Sequence, residues 1–310
     1  MTIRSSGAPA RRRLALAIAA GAALMLGAAA AFAQIHYDTG QNVVPVFEGW
    51  ERNDDGSFNM VFGYMNRNYA EELDVPIGPD NHLEPGDPDQ GQPTHFYTRR
   101  QQFVFKVHVP ADWGQKDLVW TLNVGGRPEK AYASLLPFWQ LGPLVYEENR
   151  GGIAQIGAEP EPNEPPTIAF AGPPPASVAA GQPVTIGVSV ADDGHPEGRP
   201  SRVRRNADGS VATATGTPGP GASGPQRENP LTQAIVRNEP GVALGVTWIV
   251  YRGATAGVTI APAHQDVENG LASVTVTFAH PGHYTLRAYA DDTVYVTPID
   301  VVIDVRRPGL

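Results

Sequence analysis

Between Val43 and about Tyr146 apolar side chains recur at every second position, the period of half-buried strands whose alternate residues face a core. Phe58, Met60, Phe62 and Tyr64 follow the turn Asn53-Asp54-Asp55-Gly56 and predict one strand. Phe103, Phe105, Val107 and Val109 predict a second, with Lys106 and His108 on its other side and Pro110 ending it. Leu118, Trp120, Leu122 and Val124 form a third, closed by Gly125-Gly126, and Ala131 to Leu135 a fourth. Short strands separated by Gly, Pro and Asp clusters favour a β-sandwich over 43–148.

A second series begins at Thr167 to Phe170 and runs through Val184, Ile186, Val188 and Val190. It resumes at the unbroken run Val246 to Tyr251, then at Val274, Val276 and Phe278, at Tyr284, Leu286 and Ala288, and at Val301, Ile303 and Val305. These predict a second sandwich over 167–307. The stretch 149–166 lacks apolar periodicity, and its Glu-Pro repeats keep it extended, so it reads as the linker. Residues from about 194 to 241 interrupt the second series with Gly, Pro, Ala, Asn and Arg, too little apolar surface to repay ordering, and read as a disordered insertion. It holds Arg199, Arg202, Arg204 and Arg205, either a solvated loop or a contact to an acidic surface polymer.

The first 33 residues change the compartment. Arg11 to Arg13 precede an apolar run from Leu14 to Ala30, and Ala31-Phe32-Ala33 supplies the small-x-small pattern of signal peptidase. Met1 to Ala33 therefore reads as a signal peptide cleaved before Gln34, with an uncleaved anchor as the alternative. The expected location is periplasmic or secreted at the cell surface, with no membrane span after cleavage. The chain has 23 Lys and Arg against 32 Asp and Glu. Removal of the four signal arginines leaves 19, a formal charge of about −13, which argues against nucleic acid or anionic lipid as partner. With 34 glycines and 30 prolines, long helices are unexpected. Cysteine is absent, so disulfides, thiol nucleophiles and zinc-thiolate sites are excluded.

Several runs carry resemblances. Pro165-Pro166-Thr167-Ile168, Ala180-Gly181-Gln182-Pro183-Val184-Thr185-Ile186, Ala191-Asp192-Asp193-Gly194 and the stretch Pro281-Gly282-His283-Tyr284 to Asp292 resemble the immunoglobulin-like and PKD-like modules of bacterial exported proteins. The resemblance covers about 167 to 305 and implies an immunoglobulin-like fold there and an extracytoplasmic setting, not an activity; with the strand series of the first domain, the expected fold class is all-β, two β-sandwich (immunoglobulin-like) domains. In the first domain, Phe62-Gly63-Tyr64-Met65-Asn66-Arg67-Asn68, Gly78-Pro79-Asp80-Asn81 and Gly91-Gln92-Pro93-Thr94-His95-Phe96 resemble an uncharacterised module of exported bacterial proteins, which implies no chemistry.

No Gly-x-Ser-x-Gly elbow or His-Glu-x-x-His pattern occurs. His280 and His283 are separated by Pro-Gly and read as hairpin residues. The densest polar constellation is the loop from Ile77 to His95, with Asp80, Asn81, His82, Glu84, Asp87, Asp89, Gln92 and His95. Hard oxygen donors at short spacing can wrap calcium, with Asp80, Asp87 and Asp89 as ligands; the same residue types also suit turns for backbone reasons. No other cofactor is expected. The acid pairs Asp54-Asp55, Asp192-Asp193 and Asp291-Asp292 read as turns. Flat rings stack on sugars, which makes Trp50, Tyr97, Trp113, Phe138 and Trp139 candidates. Trp113 leads because the turn Ala111-Asp112-Trp113-Gly114 tends to expose it.

The reading these features support is a non-enzymatic scaffold or interaction protein whose partner is an envelope or surface protein or glycan, of open oligomeric state. Two others stand beside it: a carbohydrate-binding accessory protein using Trp113, Trp50 and Tyr97, and a hydrolase with its site in the 77–95 loop.

Overall fold

A computed structural model describes residues 37–149, 163–195, 244–292 and 294–309. The expected signal segment, most of the expected linker and the stretch from 196 to 243 read as an insertion, with its four arginines, lie outside the described residues. Asp38–Leu310 form one compact unit, and the chain is all-β: two immunoglobulin-like sandwiches.

The first sandwich contains β1 (Val43–Arg52), β2 (Phe58–Asn66), β3 (Leu73–Asp74), β4 (Asn81–Glu84), β5 (His95–Phe96), β6 (Arg99–Val109), β7 (Leu118–Val124) and β8 (Arg127–Ala133). Sheets β1-β2-β6 and β4-β7-β8 pack face to face, and β3 pairs with β5. Trp120 is the pin between them. Its ring meets Phe105 edge-on at 4.9 Å and Phe62 edge-on at 6.0 Å, a geometry that sets positive ring edges against negative faces.

Two strands depart from expectation. The fourth begins at Arg127 rather than Ala131, because Gly125 and Gly126 both take positive φ and close a two-residue hairpin that pairs Val124 with Arg127 at once. The exposed polar start of that strand hides it from a hydrophobic pattern. Phe103 does not continue the face of Phe105, Val107 and Val109. Opposite β2, Phe62 pairs with Phe105 but Tyr64 with Gln101, so the strand bulges there and Phe103 sits at φ 52°. It packs on Tyr146 of the only α-helix among the described residues, α1 (Pro143–Asn149).

The second sandwich has β9 (Thr167–Phe170), β10 (Ser177–Ala179), β11 (Pro183–Ala191), β12 (Gly245–Arg252), β13 (Val258–Ala261), β14 (His264–Asp266), β15 (Leu271–Phe278), β16 (Gly282–Asp291) and β17 (Val296–Arg306). Its sheets run β13-β15-β11-β9 and β10-β17-β16-β12-β14. Two further features are those of immunoglobulin domains. Trp248, on β12, is wholly buried in the core, and Tyr284, at the start of β16, donates from its hydroxyl to the His280 carbonyl at 3.1 Å, tying the corner that precedes the strand.

The run Val246 to Tyr251 does not alternate because β12 is covered on both faces. Val246, Trp248 and Val250 enter their own sandwich core, while Ile249 and Tyr251, with Tyr289 of β16, join the core cluster of the first sandwich. One hydrophobic layer therefore continues from the first domain onto the second.

Candidate functional site

The polar loop between β4 and β5 is an interdomain clamp. Asp89 holds Arg252 through two hydrogen bonds, at 2.9 and 2.7 Å, and the same guanidinium donates to the Gln92 carbonyl. That hydrogen bonding to Arg252 keeps the Asp89 carboxyl below the usual carboxylate range. Tyr251 donates to the Gly91 carbonyl at 2.5 Å, and Gly253 donates to the Thr94 hydroxyl. Thr94 in turn donates from its backbone to the Tyr251 carbonyl. The Tyr97 hydroxyl accepts from Val250 N at 3.0 Å and donates to Val250 O at 3.2 Å, so one side chain satisfies a buried backbone pair across the interface. On the far side Arg287 donates to the Val104 carbonyl at 2.8 Å, forms a two-pronged ion pair with Asp300, and lies 3.4 Å above the Tyr251 ring.

The three aspartates weighed as calcium ligands each have hydrogen-bond partners within the protein. Asp80 accepts from Asn123 Nδ2, Asp87 from the Asp89 backbone, and Asp89 from Arg252 and Gly91. The three carboxylates accept from separate donors, and no group of three His, Asp or Glu side chains converges among the described residues.

Trp50, Tyr97 and Trp113 are all buried in the core of the first sandwich. Trp50 Nε1 donates to the Leu136 carbonyl and Trp113 Nε1 to the Lys116 carbonyl. The turn at Trp113 folds the ring back under Lys116, whose ammonium lies 4.6 Å from the ring centre, because burying the indole while pairing its N–H outweighs leaving it in water. Of the five candidate rings the exposed ones are Phe138, at 74% exposure, and Trp139, at 39%, on a short 3-10 turn.

His95 sits between two carboxylates. Nδ1 is 2.8 Å from Asp74 and Nε2 is 3.2 Å from Glu72, while the ring meets Tyr97 edge-on at 4.5 Å. Burial alone would lower its pKa, but the hydrogen bonds and charges of Asp74 and Glu72 together raise it above 6.5. Both ring nitrogens therefore face carboxylates.

The motif residues of the first domain are its buried polar frame. Asn66 donates to the Glu71 and Phe96 carbonyls, Asn68 to Gln41 O, and Gln92 to Pro88 O. Asn81 donates to Val75 O and Pro93 O and accepts from Trp120 Nε1.

The acid pairs behave as turns. Asp55 accepts from Ser57 N, Asp192 from Gly194 N, and Asp193 from His195 N. His283 remains a hairpin residue, exposed and paired with Asp304 at 3.3 Å. Asp292 accepts from Val294 N and Tyr295 N through Oδ1, yet its Oδ2 is buried without a partner. Burial first, then the charges of Asp192 and Asp291, push its pKa up to about 6. An acid whose folded pKa lies above its unfolded 3.8 costs the fold nothing below that value and its full penalty above about 6. Asp292→Asn keeps the accepting oxygen, so it should stabilise by roughly 1 to 2 kcal/mol at pH 8 after allowance for solvent screening. The gain should vanish toward pH 4 in urea titrations at the two pH values.

The interface residues Tyr251, Arg252, Arg287 and Tyr289 are not legible as a site in the sequence. Their one signal is the absence of alternation in β12, which announces double coverage but not the covering surface.

No protein-family profile matches this chain, and no curated protein sequence does. Among solved structures it is similar to domains 4 and 5 of the S-layer protein SbsC, at 12% identity over 62% of this chain and 65% of that one, with a TM-score of 0.24. A larger SbsC fragment, domains 1–6, matches at 12% identity over 87% of this chain but 28% of its own length, with a TM-score of 0.25. The fibronectin(III)-like modules of Clostridium thermocellum CbhA match at 11% identity over 90% of this chain and 94% of theirs, with a TM-score of 0.24.

Proposed function

We propose that this chain is an exported, non-enzymatic scaffold or interaction protein of the cell envelope or surface, in which two sandwiches act as a single rigid body. The observation that carries this reading is the clamp: the loop richest in candidate chemistry spends its side chains on holding β12. No helix among the described residues is long and apolar enough to cross a membrane. Residues 34–310, used as bait on an envelope extract from the source organism, should retain one protein or glycan in stoichiometric amount, equally with and without a calcium chelator. Turnover of an envelope polymer, abolished by Asp80→Ala or His95→Ala with the fold intact, would overturn the reading.

The exposure of Phe138 and Trp139 favours a second reading, carbohydrate binding at this turn rather than at Trp113. It expects polysaccharide to quench tryptophan fluorescence, with the quench lost in Phe138→Ala and kept in Trp113→Phe. No quenching across a broad glycan panel removes it.

A further inference from the structure

We propose that His95 is a proton-operated latch on the clamp between the two sandwiches, tightening their docking when the imidazole is charged and loosening it when it is neutral. The inference goes beyond the scaffold reading by making the rigidity of the two-sandwich body depend on pH, and it rests on geometry.

A doubly protonated imidazole donates from both nitrogens, and at His95 each nitrogen faces a carboxylate, Asp74 on one side and Glu72 on the other. The neutral ring has one N–H. One carboxylate then loses its donor and faces a nitrogen lone pair. The histidine side chain is 1% exposed, so water has little room to take the lost proton's place. The groups around the ring are Glu72, Asp74 and Tyr97, with Tyr64 and Tyr289 next to Tyr97. Burial pushes all three phenols above their ordinary value, so none of them changes charge near neutrality. The imidazole does.

The cluster is joined to the interface by its own backbone. Asp74 pairs with His95 and Leu73 with Phe96 in the β3–β5 ladder, and Val75 N donates to the Thr94 carbonyl. The residues flanking His95 are Thr94 and, two on, Tyr97. These bond to Tyr251, Gly253 and Val250 of the second sandwich. Repulsion that displaces β5 from β3 therefore pulls on three of the interdomain contacts. The sign follows from the raised pKa: the latch is fully closed below the ordinary histidine value of 6.5 and opens as pH rises through the higher folded value.

The test uses residues 34–310 and two wild-type readouts. NMR of the histidine ring protons gives the His95 midpoint. Hydrogen exchange, corrected for the intrinsic base-catalysed rate, gives protection factors for the Val250, Gly253 and Thr94 amides between pH 6 and 9. Protection at these three should fall severalfold across the His95 midpoint while amides inside β15 stay constant. Protection that is flat through the midpoint overturns the proposal. His95→Gln should abolish the pH dependence, and an unchanged fall in that variant also overturns it. Glu72→Gln, at a partly exposed position, should lower the midpoint and carry the fall in protection with it; a shifted midpoint with an unshifted fall separates the imidazole from the clamp.

Discussion

Arg287→Met is expected to destabilise the protein by about 3 kcal/mol, the low end of the cost of breaking a buried ion pair by deleting one partner. The guanidinium is buried and makes five kinds of use of its fork. Nε and Nη2 hold the two Asp300 oxygens at 2.6 and 2.8 Å, Nη1 reaches the Val104 carbonyl, and the plane covers Tyr251 and approaches Tyr289. Methionine fills the volume and keeps contact with the rings, but leaves Asp300 and the Val104 carbonyl without donors. Asp300 is 37% exposed, and water can take over part of its needs, which is why the low end applies. For a chain of this size the shift in Tm should be on the order of 10 °C. Arg287→Lys should recover little, since a single ammonium cannot span both Asp300 oxygens and the carbonyl across the interface. Adding Asp300→Leu to Arg287→Met should recover part of the loss, because the stranded carboxylate is then gone. A Tm unchanged in Arg287→Met would mean that the two sandwiches do not depend on this contact for their stability.

The fold was legible wherever one face of a strand is buried and the other wet. Leu118, Trp120 and Leu122 in β7, and Ile186, Val188 and Val190 in β11, read from their period alone. Period failed where a second influence entered. Phe103 is apolar at the right position, but the bulge turns it out of the ladder toward Tyr146. Trp113 lies in a turn, and turn propensity describes the backbone; the indole obeys burial and its N–H instead. The loop from Ile77 to His95 is legible in the sequence as a concentration of polar groups. What no local pattern could reveal is that its partners are Arg252, 163 residues from Asp89, and Tyr251, 160 residues from Gly91. His95 shows the same limit at shorter range, since its carboxylates lie 21 and 23 residues earlier and meet it only because β3 pairs with β5.

Asn81→Ala should be at least as damaging as loss of Arg287, with an expected cost of about 4 kcal/mol, since each buried polar group left unpaired costs roughly 1 to 3 kcal/mol and part of that is relieved by local adjustment. Asn81 is wholly buried, and its amide is a three-way joint. Nδ2 donates to Val75 O at 2.9 Å and to Pro93 O at 2.8 Å, which closes the base of the clamp loop, while Oδ1 accepts from Trp120 Nε1 at 3.0 Å and so ties that loop to the core pin. Alanine strands all three. Asn81→Asp separates the contributions, because a carboxylate still accepts from the indole but cannot donate to either carbonyl. At neutral pH it should cost as much as alanine, with a buried charge added, and it should improve in mild acid as the carboxyl protonates and regains one donor. Urea unfolding at pH 5 and pH 7.5 measures both. A cost below about 1 kcal/mol for Asn81→Ala would show that the clamp loop closes, and β12 stays docked, without this joint.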